Sequence, residues 1–210
     1  MRLFEDDEPV RASRTGGDWE RHRAHRAPTS GPPQDEVGVL ALASFVLART
    51  PDVAVAVRSV TAHSDGLRLT VVVLFADEQR AEDLDWAMQD YGRSPGRFRL
   101  GCAFADGRRA TTGRGDSPEV ALPGDASPSL LLLASSATTL AWTGDYWLHP
   151  LPPPGPLVLG CRWPDRGIPE TLAQVEAAPL LEAAAASRPV WETAPDEDEQ
   201  PSPVSATLEG

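Results

Sequence analysis

The sequence predicts an all-β fold: an immunoglobulin-like sandwich of two sheets with one short helical insertion and a short C-terminal helix. Two observations support this. Between positions 37 and 191, short apolar runs alternate with Gly, Pro and Asp turn signals, which is the pattern of a sandwich or a barrel. The 210 residues also suffice for one domain of about 150 residues with a real core. The immunoglobulin-like topology is an expectation from strand number and turn spacing.

Eight strands are predicted in this span. The second strand slips in phase after Val57, because Val60 has the wrong parity, and we therefore expect a bulge near Arg58 and Ser59. A turn over residues 63–66 joins the second strand to the third, and its Asp-Gly pair is expected to supply a positive φ. The predicted strands are residues 39–49, 53–62, 67–75, 97–105, 130–134, 139–149, 157–163 and 171–176.

Two further segments have a helical pattern. Residues 77–92 carry apolar side chains at helical spacing and end in a glycine cap. Residues 179–187 begin with a proline suited to a first helical turn and continue in alanine. Pro189 ends this helix, and Trp191 is expected to fold back against the domain as an anchor.

The two ends of the chain are predicted to be disordered. Residues 1–36 form an arm of mixed charge and residues 192–210 an acidic tail, and neither contains a hydrophobic period. The net charge is −12 at pH 7, and the tail contains six acidic residues and no basic one. Because an acidic surface repels phosphate backbones, nucleic acid is not an expected partner. The basic island at residues 21–26 could touch an acidic surface, although a solvated arm is the simpler interpretation.

The composition excludes several classes of active site. The chain contains no lysine, so Schiff-base lysines, lysine general bases and phosphate-binding Gly-Lys-Ser/Thr loops are excluded. The first residues do not resemble a signal peptide. The longest apolar run, residues 37–48, is shorter than the roughly 20 residues that span a bilayer. We therefore expect a cytoplasmic protein without a membrane partner.

The strands on either side of the proline-rich segment 151–156 are predicted to pair as a hairpin. The chosen register turns the apolar residues of both strands to one inward face. It predicts three outward pairs: Asp145 with Arg162, Trp147 with Gly160, and His149 with Val158. From this face we predict a binding patch of Trp147, His149 and Arg162, since exposed aromatic residues are enriched at interfaces. The alternative for Trp147 is that it only shields Gly160.

One proline-rich motif resembles a known family. Residues 146–156 read Tyr-Trp-Leu-His-Pro-Leu-Pro-Pro-Pro-Gly-Pro, and Trp-Pro at 163–164 and Gly-Ile-Pro-Glu-Thr at 167–171 follow. These motifs resemble an uncharacterised family of high-GC actinobacterial proteins over about residues 37–191. The resemblance supports the fold and brings no assigned activity, cofactor or partner. Members often have an aromatic residue at the position of His149 and an acidic one at that of Arg162, so it gives these two no shared role.

Candidate catalytic and metal-binding residues are few. His63 lies in a predicted turn, where an exposed polar residue is ordinary. No Cys-x-x-Cys or His-Glu-x-x-His spacing predicts a metal site, and no cofactor is expected. Cys102 and Cys161 fall on the inward faces of their strands, which favours two small buried hydrophobic residues over a disulfide or a nucleophile.

Because no catalytic constellation is recognisable, the sequence favours a non-enzymatic protein-interaction or accessory domain with a protein partner. Two alternatives stay open. One is a carboxylate-dependent hydrolase acting on a small or carbohydrate substrate. The other is a structural subunit that pairs with another chain through an edge strand. A cleft with two facing acids would favour the hydrolase, and a flat surface would favour binding.

Overall fold

Ten antiparallel strands form two sheets in the computed structural model, which describes residues 27–79, Met88, residues 96–112 and residues 127–191. The strands are β1 (Val39–Leu42), β2 (Phe45–Arg49), β3 (Val53–Ala62), β4 (Leu67–Phe75), β5 (Arg99–Ala103), β6 (Arg109–Thr111), β7 (Ser129–Ala137), β8 (Ala141–His149), β9 (Pro156–Trp163) and β10 (Ile168–Glu176). A helix, α1 (Ala177–Ala186), follows β10, and two 3₁₀ turns lie at Pro28–Ser30 and Pro164–Arg166.

The two sheets share one apolar core. The larger sheet has the order β1-β3-β4-β8-β7, with β2 also paired to β3, and the smaller sheet has the order β10-β9-β5-β6. Because side chains alternate between the faces of a strand, each sheet turns an apolar face inward, and the buried residues of both sheets form one cluster. At the flanks, β2 approaches β10 and β6 approaches β7. The predicted all-β class with two sheets is confirmed.

Several strands agree closely with their predictions. β3 and β4 have the predicted bounds, and the expected bulge is present, because the register between them shifts from Val57 to Ser59 and leaves Arg58 as the extra residue. The predicted first strand is divided into β1 and β2, which pair with successive parts of β3. β6 was not predicted, since its three residues are too few to show a period.

The turn between β3 and β4 needs its glycine for a different reason than predicted. His63 N donates to Gly66 O at 2.9 Å, but Gly66 is not one of the glycines with a positive φ. A Cβ at Gly66 would lie 2.5 Å from Cζ2 of Trp147. The close approach of this indole therefore excludes a side chain at position 66, and the prediction of a positive φ is wrong.

The predicted hairpin of β8 and β9 is wrong. β8 pairs with β4 and β7, whereas β9 pairs with β5 and β10, so the proline-rich segment crosses from one sheet to the other. The apolar residues of both strands, such as Tyr146 and Leu159, do point into a common core. The same alternation of inward-facing side chains arises when two strands lie in facing sheets and when they are neighbours in one sheet. Alternation alone therefore does not determine which strands pair.

The N-terminal arm predicted for residues 1–36 includes a folded part. Residues 28–30 form a 3₁₀ turn beside β8, and Val190 N donates to Asp35 O at 2.7 Å. Residues within 28–36 thus pack against the domain predicted for residues 37–191. Trp191 is 63% exposed, so the prediction that it folds back against the domain as an anchor is wrong. Residues 1–26 and the acidic tail, 192–210, lie outside the described residues.

The predicted helices are described to different extents. α1 begins two residues before the predicted start and buries Leu180, Ala183 and Ala184, with contacts to β1 and β3. In the predicted insertion, Met88 is helical and buried, and residues 80–87 and 89–95 lie outside the described residues. Within the described part of the chain, the structure shows no helix that has both the length and the apolar character needed to cross a membrane.

Candidate functional site

An open trough of about 460 Å³ lies on the smaller sheet. Its floor contains two glycines, Gly101 of β5 and Gly160 of β9, which are directly paired across the two strands. On a strand, a residue at such a position normally projects a side chain from the sheet face. Two adjacent positions without side chains therefore lower the floor of the trough, and neighbouring side chains can pack closely against the backbone there. Val158 and Leu172 are among the apolar residues that line it.

The neighbours of both glycines leave little room for a side chain. A Cβ at Gly101 would lie 3.1 Å from Thr111 Cγ2 and 3.3 Å from Ala110 O. A Cβ at Gly160 would lie 2.5 Å from Cδ2 of Leu172, a residue that is 61% exposed. Glycine at these two positions therefore accommodates the close packing of Leu172 and Thr111 against the sheet.

Three arginines line the trough. Arg99 of β5 and Arg162 of β9 are directly opposed, and like charges in directly opposed positions destabilise a sheet. Arg109 lies opposite Ala103, four residues along β5 from Arg99, which corresponds to about 13 Å at the rise of a strand. The trough therefore carries cationic side chains at both of its ends.

Glu170 balances part of this charge. It lies in a bulge of β10. Ile168 pairs with Trp163 and Thr171 pairs with Cys161. Glu170 and Pro169, which lie between these pairs, are therefore opposite Arg162. Among the described residues that line the trough, it is the only carboxylate. A chain with a net charge of −12 thus has a locally cationic surface, which attracts anionic groups.

The structure separates the three residues of the predicted binding patch. Arg162 is exposed and lines the trough. Trp147 and His149 lie on β8 in the larger sheet, where His149 is half-buried at the strand end and Trp147 is fully buried. The prediction that these residues form one outward surface is therefore wrong, because it depended on the hairpin of β8 and β9.

Trp147 does point away from the core between the sheets, but the N-terminal segment covers it. Its Nε1 donates to Pro28 O at 2.8 Å, and its ring meets that of His63 edge-on, with 5.7 Å between the centroids. The glycine that Trp147 covers is Gly66 and not Gly160. Both interpretations of Trp147, as an exposed ligand contact and as a shield for Gly160, are thus wrong.

Asp145 is also paired differently from the prediction. It accepts hydrogen bonds from Arg68 and, at 2.7 Å, from Thr70 Oγ1, both on the adjacent strand β4. The expected partner, Arg162, lies in the other sheet. Arg162 lines the trough of that sheet.

A second polar cluster joins the N-terminal segment to the turn at 63–66 and to the C-terminal end. Glu36 Oε2 accepts from Ser64 N at 2.9 Å and from Ser187 Oγ at 2.8 Å, and lies 3.8 Å from His63 Nδ1. Burial alone would raise the pKa of Glu36, but the hydrogen bonds from Ser64 and Ser187 and the interaction with His63 outweigh it and lower the pKa.

This cluster links three segments of the fold. Ser187 donates its hydroxyl directly to Glu36, so these residues do not form the serine–histidine–carboxylate order of a catalytic triad. Ser187 and His63 are both buried, which also corrects the expectation that His63 is an exposed turn residue. We call the group of Glu36, His63, Ser64 and Ser187 the Glu36 clamp.

Cys102 and Cys161 are buried free thiols, as predicted. Burial raises the pKa of Cys102 to about 11, against a lowering contribution from a hydrogen bond with the backbone of Ala110, and it raises the pKa of Cys161 to about 12. The two are diagonal on neighbouring strands, since Cys102 is opposite Leu159 and Cys161 is opposite Leu100. A thiol with a raised pKa is a poor nucleophile.

The trough was not predicted, although a signal for it existed. Gly101 and Gly160 each interrupt a strand whose alternate residues are apolar, and an isolated glycine in a strand often marks a close approach of another backbone or a ligand. Only the pairing of β5 with β9 brings them together.

Two further results concern the nature of the site. Across the described residues, no group of three or more His, Cys, Asp or Glu side chains is arranged to hold a metal ion. The chain matches no family model, no curated protein and no solved structure.

Proposed function

We propose that the protein is a non-enzymatic protein-interaction domain that holds an extended acidic segment of a partner protein in the trough of the smaller sheet. One observation carries this proposal: the opposed arginines Arg99 and Arg162 stand beside the opposed glycines Gly101 and Gly160. The paired glycines contribute no side chains of their own to the floor of the trough, and the arginines select a chain that carries negative charge.

An extended ligand would meet cationic groups at both ends of the trough. Arg109 and Arg99 are separated by about 13 Å along the strands, and an extended ligand has the same rise of about 3.3 Å per residue. Acidic side chains about four residues apart could therefore reach both ends. Leu172, which is largely exposed, offers an apolar contact between them.

Binding of this kind is weak and depends on salt. An exposed ion pair contributes about 0.2–1 kcal/mol, so three arginines support a reversible interaction and not a permanent complex. Screening by salt reduces each contribution further.

Titration of the full chain with a short synthetic peptide rich in Asp and Glu, followed by amide ¹H–¹⁵N spectra, tests the proposal. We expect shifts at Gly101 and Gly160 that fade as salt is raised to about 0.5 M, where the screening length is only a few ångströms. Arg162→Ala and Arg109→Ala should each weaken binding by about threefold, a change within the range of one exposed ion pair. Arg58→Ala, which removes an exposed arginine from the other sheet, is the matched control. Equal binding of the Asn/Gln analogue of the peptide would refute the proposal.

The alternative functions have less support. A hydrolase needs two facing carboxylates, and Glu170 is the only acid among the described residues that line the trough. Pairing through an edge strand needs an open edge. In this structure β2 contacts β10 and β6 contacts β7, so strands at the sides of one sheet lie against strands of the other.

We also propose an immunoglobulin-like topology, membership of the actinobacterial family and a cytoplasmic location. The immunoglobulin-like class is supported by the two antiparallel sheets and by the passage of the chain between them after β4, β6 and β8. The motif at residues 146–156 supports the actinobacterial family. The net charge of −12 supports a protein partner over nucleic acid or an anionic membrane. The cytoplasmic location rests on the sequence expectation alone.

A further inference from the structure

We infer that the acidic tail of this chain, residues 192–210, occupies the trough when no partner is bound, so that a partner must displace it. This inference rests on the proposed function and adds a regulatory step at the same site. The first support is complementary charge. The tail carries six acidic residues, four of them consecutive at 196–199, and no basic residue, and the trough is lined by three arginines.

The second support is the position from which the tail starts. The last described residues are held beside the turn at 63–66, because Ser187 and Ser64 both bind Glu36 and Val190 binds Asp35. Leu67, which follows this turn, pairs with Leu148 near the end of β8, so the turn lies at the end of the sandwich where the chain leaves β8 for β9. We call this the turn end of the sandwich.

Arg109 lies toward the same end. β9 starts at the turn end, and Val158 lies near this start. Val158 pairs with Ala103, and Ala103 pairs with Arg109 on its other side. Arg99 and Arg162 lie toward the opposite end, since Arg162 is close to the end of β9. A tail that leaves the turn end therefore meets Arg109 first and the opposed pair afterwards.

The third support is length. The tail of 19 residues can extend for about 60 Å, several times the separation of about 13 Å between Arg109 and Arg99. The acidic run 196–199 begins five residues after Trp191, so about 17 Å of chain is available to carry these carboxylates from the turn end toward the trough.

Because the tail belongs to the same chain as the trough, weak ion pairs are enough to keep it bound there. A ligand on the same chain acts at an effective concentration that reaches the millimolar range for a short flexible connection. Ion pairs too weak to hold a free peptide at micromolar concentration can therefore keep the tail in the trough for much of the time. A partner with a longer or better matched acidic segment would compete with it.

The first experiment locates the tail in the full chain. A nitroxide is attached through the substitution Ser202→Cys, and labelling is confined to that position because Cys102 and Cys161 are buried with raised pKa values. At low salt we expect paramagnetic broadening of the Gly101 and Gly160 amides, and we expect it to be relieved at about 0.5 M salt. Arg109→Ala and Arg162→Ala should reduce the broadening, and the control Arg58→Ala should leave it unchanged. Absence of broadening at low salt in the otherwise native chain overturns the inference.

The second experiment separates this inference from the proposed function. The probe is a synthetic peptide with the sequence of residues 192–204, and it is titrated into the native full chain and into a full chain with D196N, E197Q, D198N and E199Q. The neutralised chain should bind the peptide at least about twofold more tightly, because a tail that fills the trough for half of the time halves the apparent affinity of a competitor. Equal affinities would show that the tail does not occupy the trough, although the trough binds acidic chains. If neither chain binds the peptide, both the inference and the proposed function fail.

Discussion

Trp147 buries its whole side chain outside the core between the sheets, in a space bounded by the turn at Pro28–Ser30, His63 and Gly66. Trp147→Ala should therefore lower the free energy of unfolding by about 3–5 kcal/mol, the range for removing a buried large aromatic side chain. Urea unfolding measures this loss. Trp191→Ala is the control, since Trp191 is exposed, and it should change stability by less than about 0.5 kcal/mol. A loss below about 1 kcal/mol at Trp147 would contradict its burial.

The two buried thiols make stability depend on alkaline pH. A cysteine in the unfolded chain titrates near pH 8.5, whereas burial raises the pKa of Cys102 to about 11 and that of Cys161 to about 12. Above about pH 8.5 the unfolded state releases these protons first, so stability is present below that pH and is lost as pH rises toward 11–12.

Urea unfolding between neutral pH and about pH 10 tests this dependence. A chain with both Cys102→Ala and Cys161→Ala should lose stability less steeply over the same interval, whatever its stability at neutral pH. Identical slopes, or rapid reaction of either native thiol with a thiol reagent at neutral pH, would show that the thiols are not protected.

At the level of elements, the Glu36 clamp holds the N-terminal segment, the β3–β4 turn and the residues after α1 together. The pKa of Glu36 is lowered, so the clamp stabilises the fold above the unfolded pKa of about 4.3 and is lost as pH falls through the lower folded value. Glu36→Gln should reduce the free energy of unfolding at pH 7 by about 1–3 kcal/mol, the range for hydrogen bonds to a charged group.

The pH dependence of this variant distinguishes the clamp from a general loss of packing. The difference between the native chain and Glu36→Gln should shrink as Glu36 itself becomes protonated in acid. Glu182→Gln, on the exposed side of α1, is the control and should show neither effect. A difference that persists unchanged in acid would mean that the charge of Glu36 is not responsible.

The positions of the strands could be predicted from the sequence, whereas many of their partners could not. β3 and β4 are joined by a short turn, and the wrong parity of Val60 was enough to locate the bulge at Arg58. β8 and β9 are joined by a proline-rich segment, and alternation reports only which side chains face the core. Both sheets share that core, so the pattern fits either arrangement.

The candidate site could likewise be predicted only where it depends on local sequence patterns. Arg162 was identified from its outward parity, which is a local property of β9. The trough around it depends on the pairing of Gly101 with Gly160 and on the position of Arg109, which are contacts between distant parts of the chain. The covering of Trp147 likewise depends on Pro28, in a segment whose composition gave no hydrophobic period.

At the scale of the whole molecule, the ends of the chain should differ in what they contribute to folding. A chain of residues 27–191 should melt within a few degrees of the full chain, because the removed ends contain no hydrophobic period and a tail held by exposed ion pairs adds little. A chain of residues 37–191 loses the acceptor of Trp147 and the carboxylate of Glu36. If that loss is about 3 kcal/mol, melting falls by about 6–12 °C for a domain of this size.

Calorimetry of the three chains measures these differences. Similar melting temperatures for residues 27–191 and 37–191 would show that the segment 27–36 contributes little to stability. A fall of more than about 10 °C for residues 27–191 relative to the full chain would show that one of the removed ends is strongly docked.

The covering of Trp147 by the N-terminal segment also has a consequence for hydrogen exchange. Release of residues 27–36 would expose the indole N–H and the Ser64 amide, both of which are bonded to that segment, and would leave the ladder between β3 and β4 intact. These protons should therefore exchange together through a partial opening of lower free energy than global unfolding. The trough lies on the opposite sheet, so its amides should keep their protection while the segment is released.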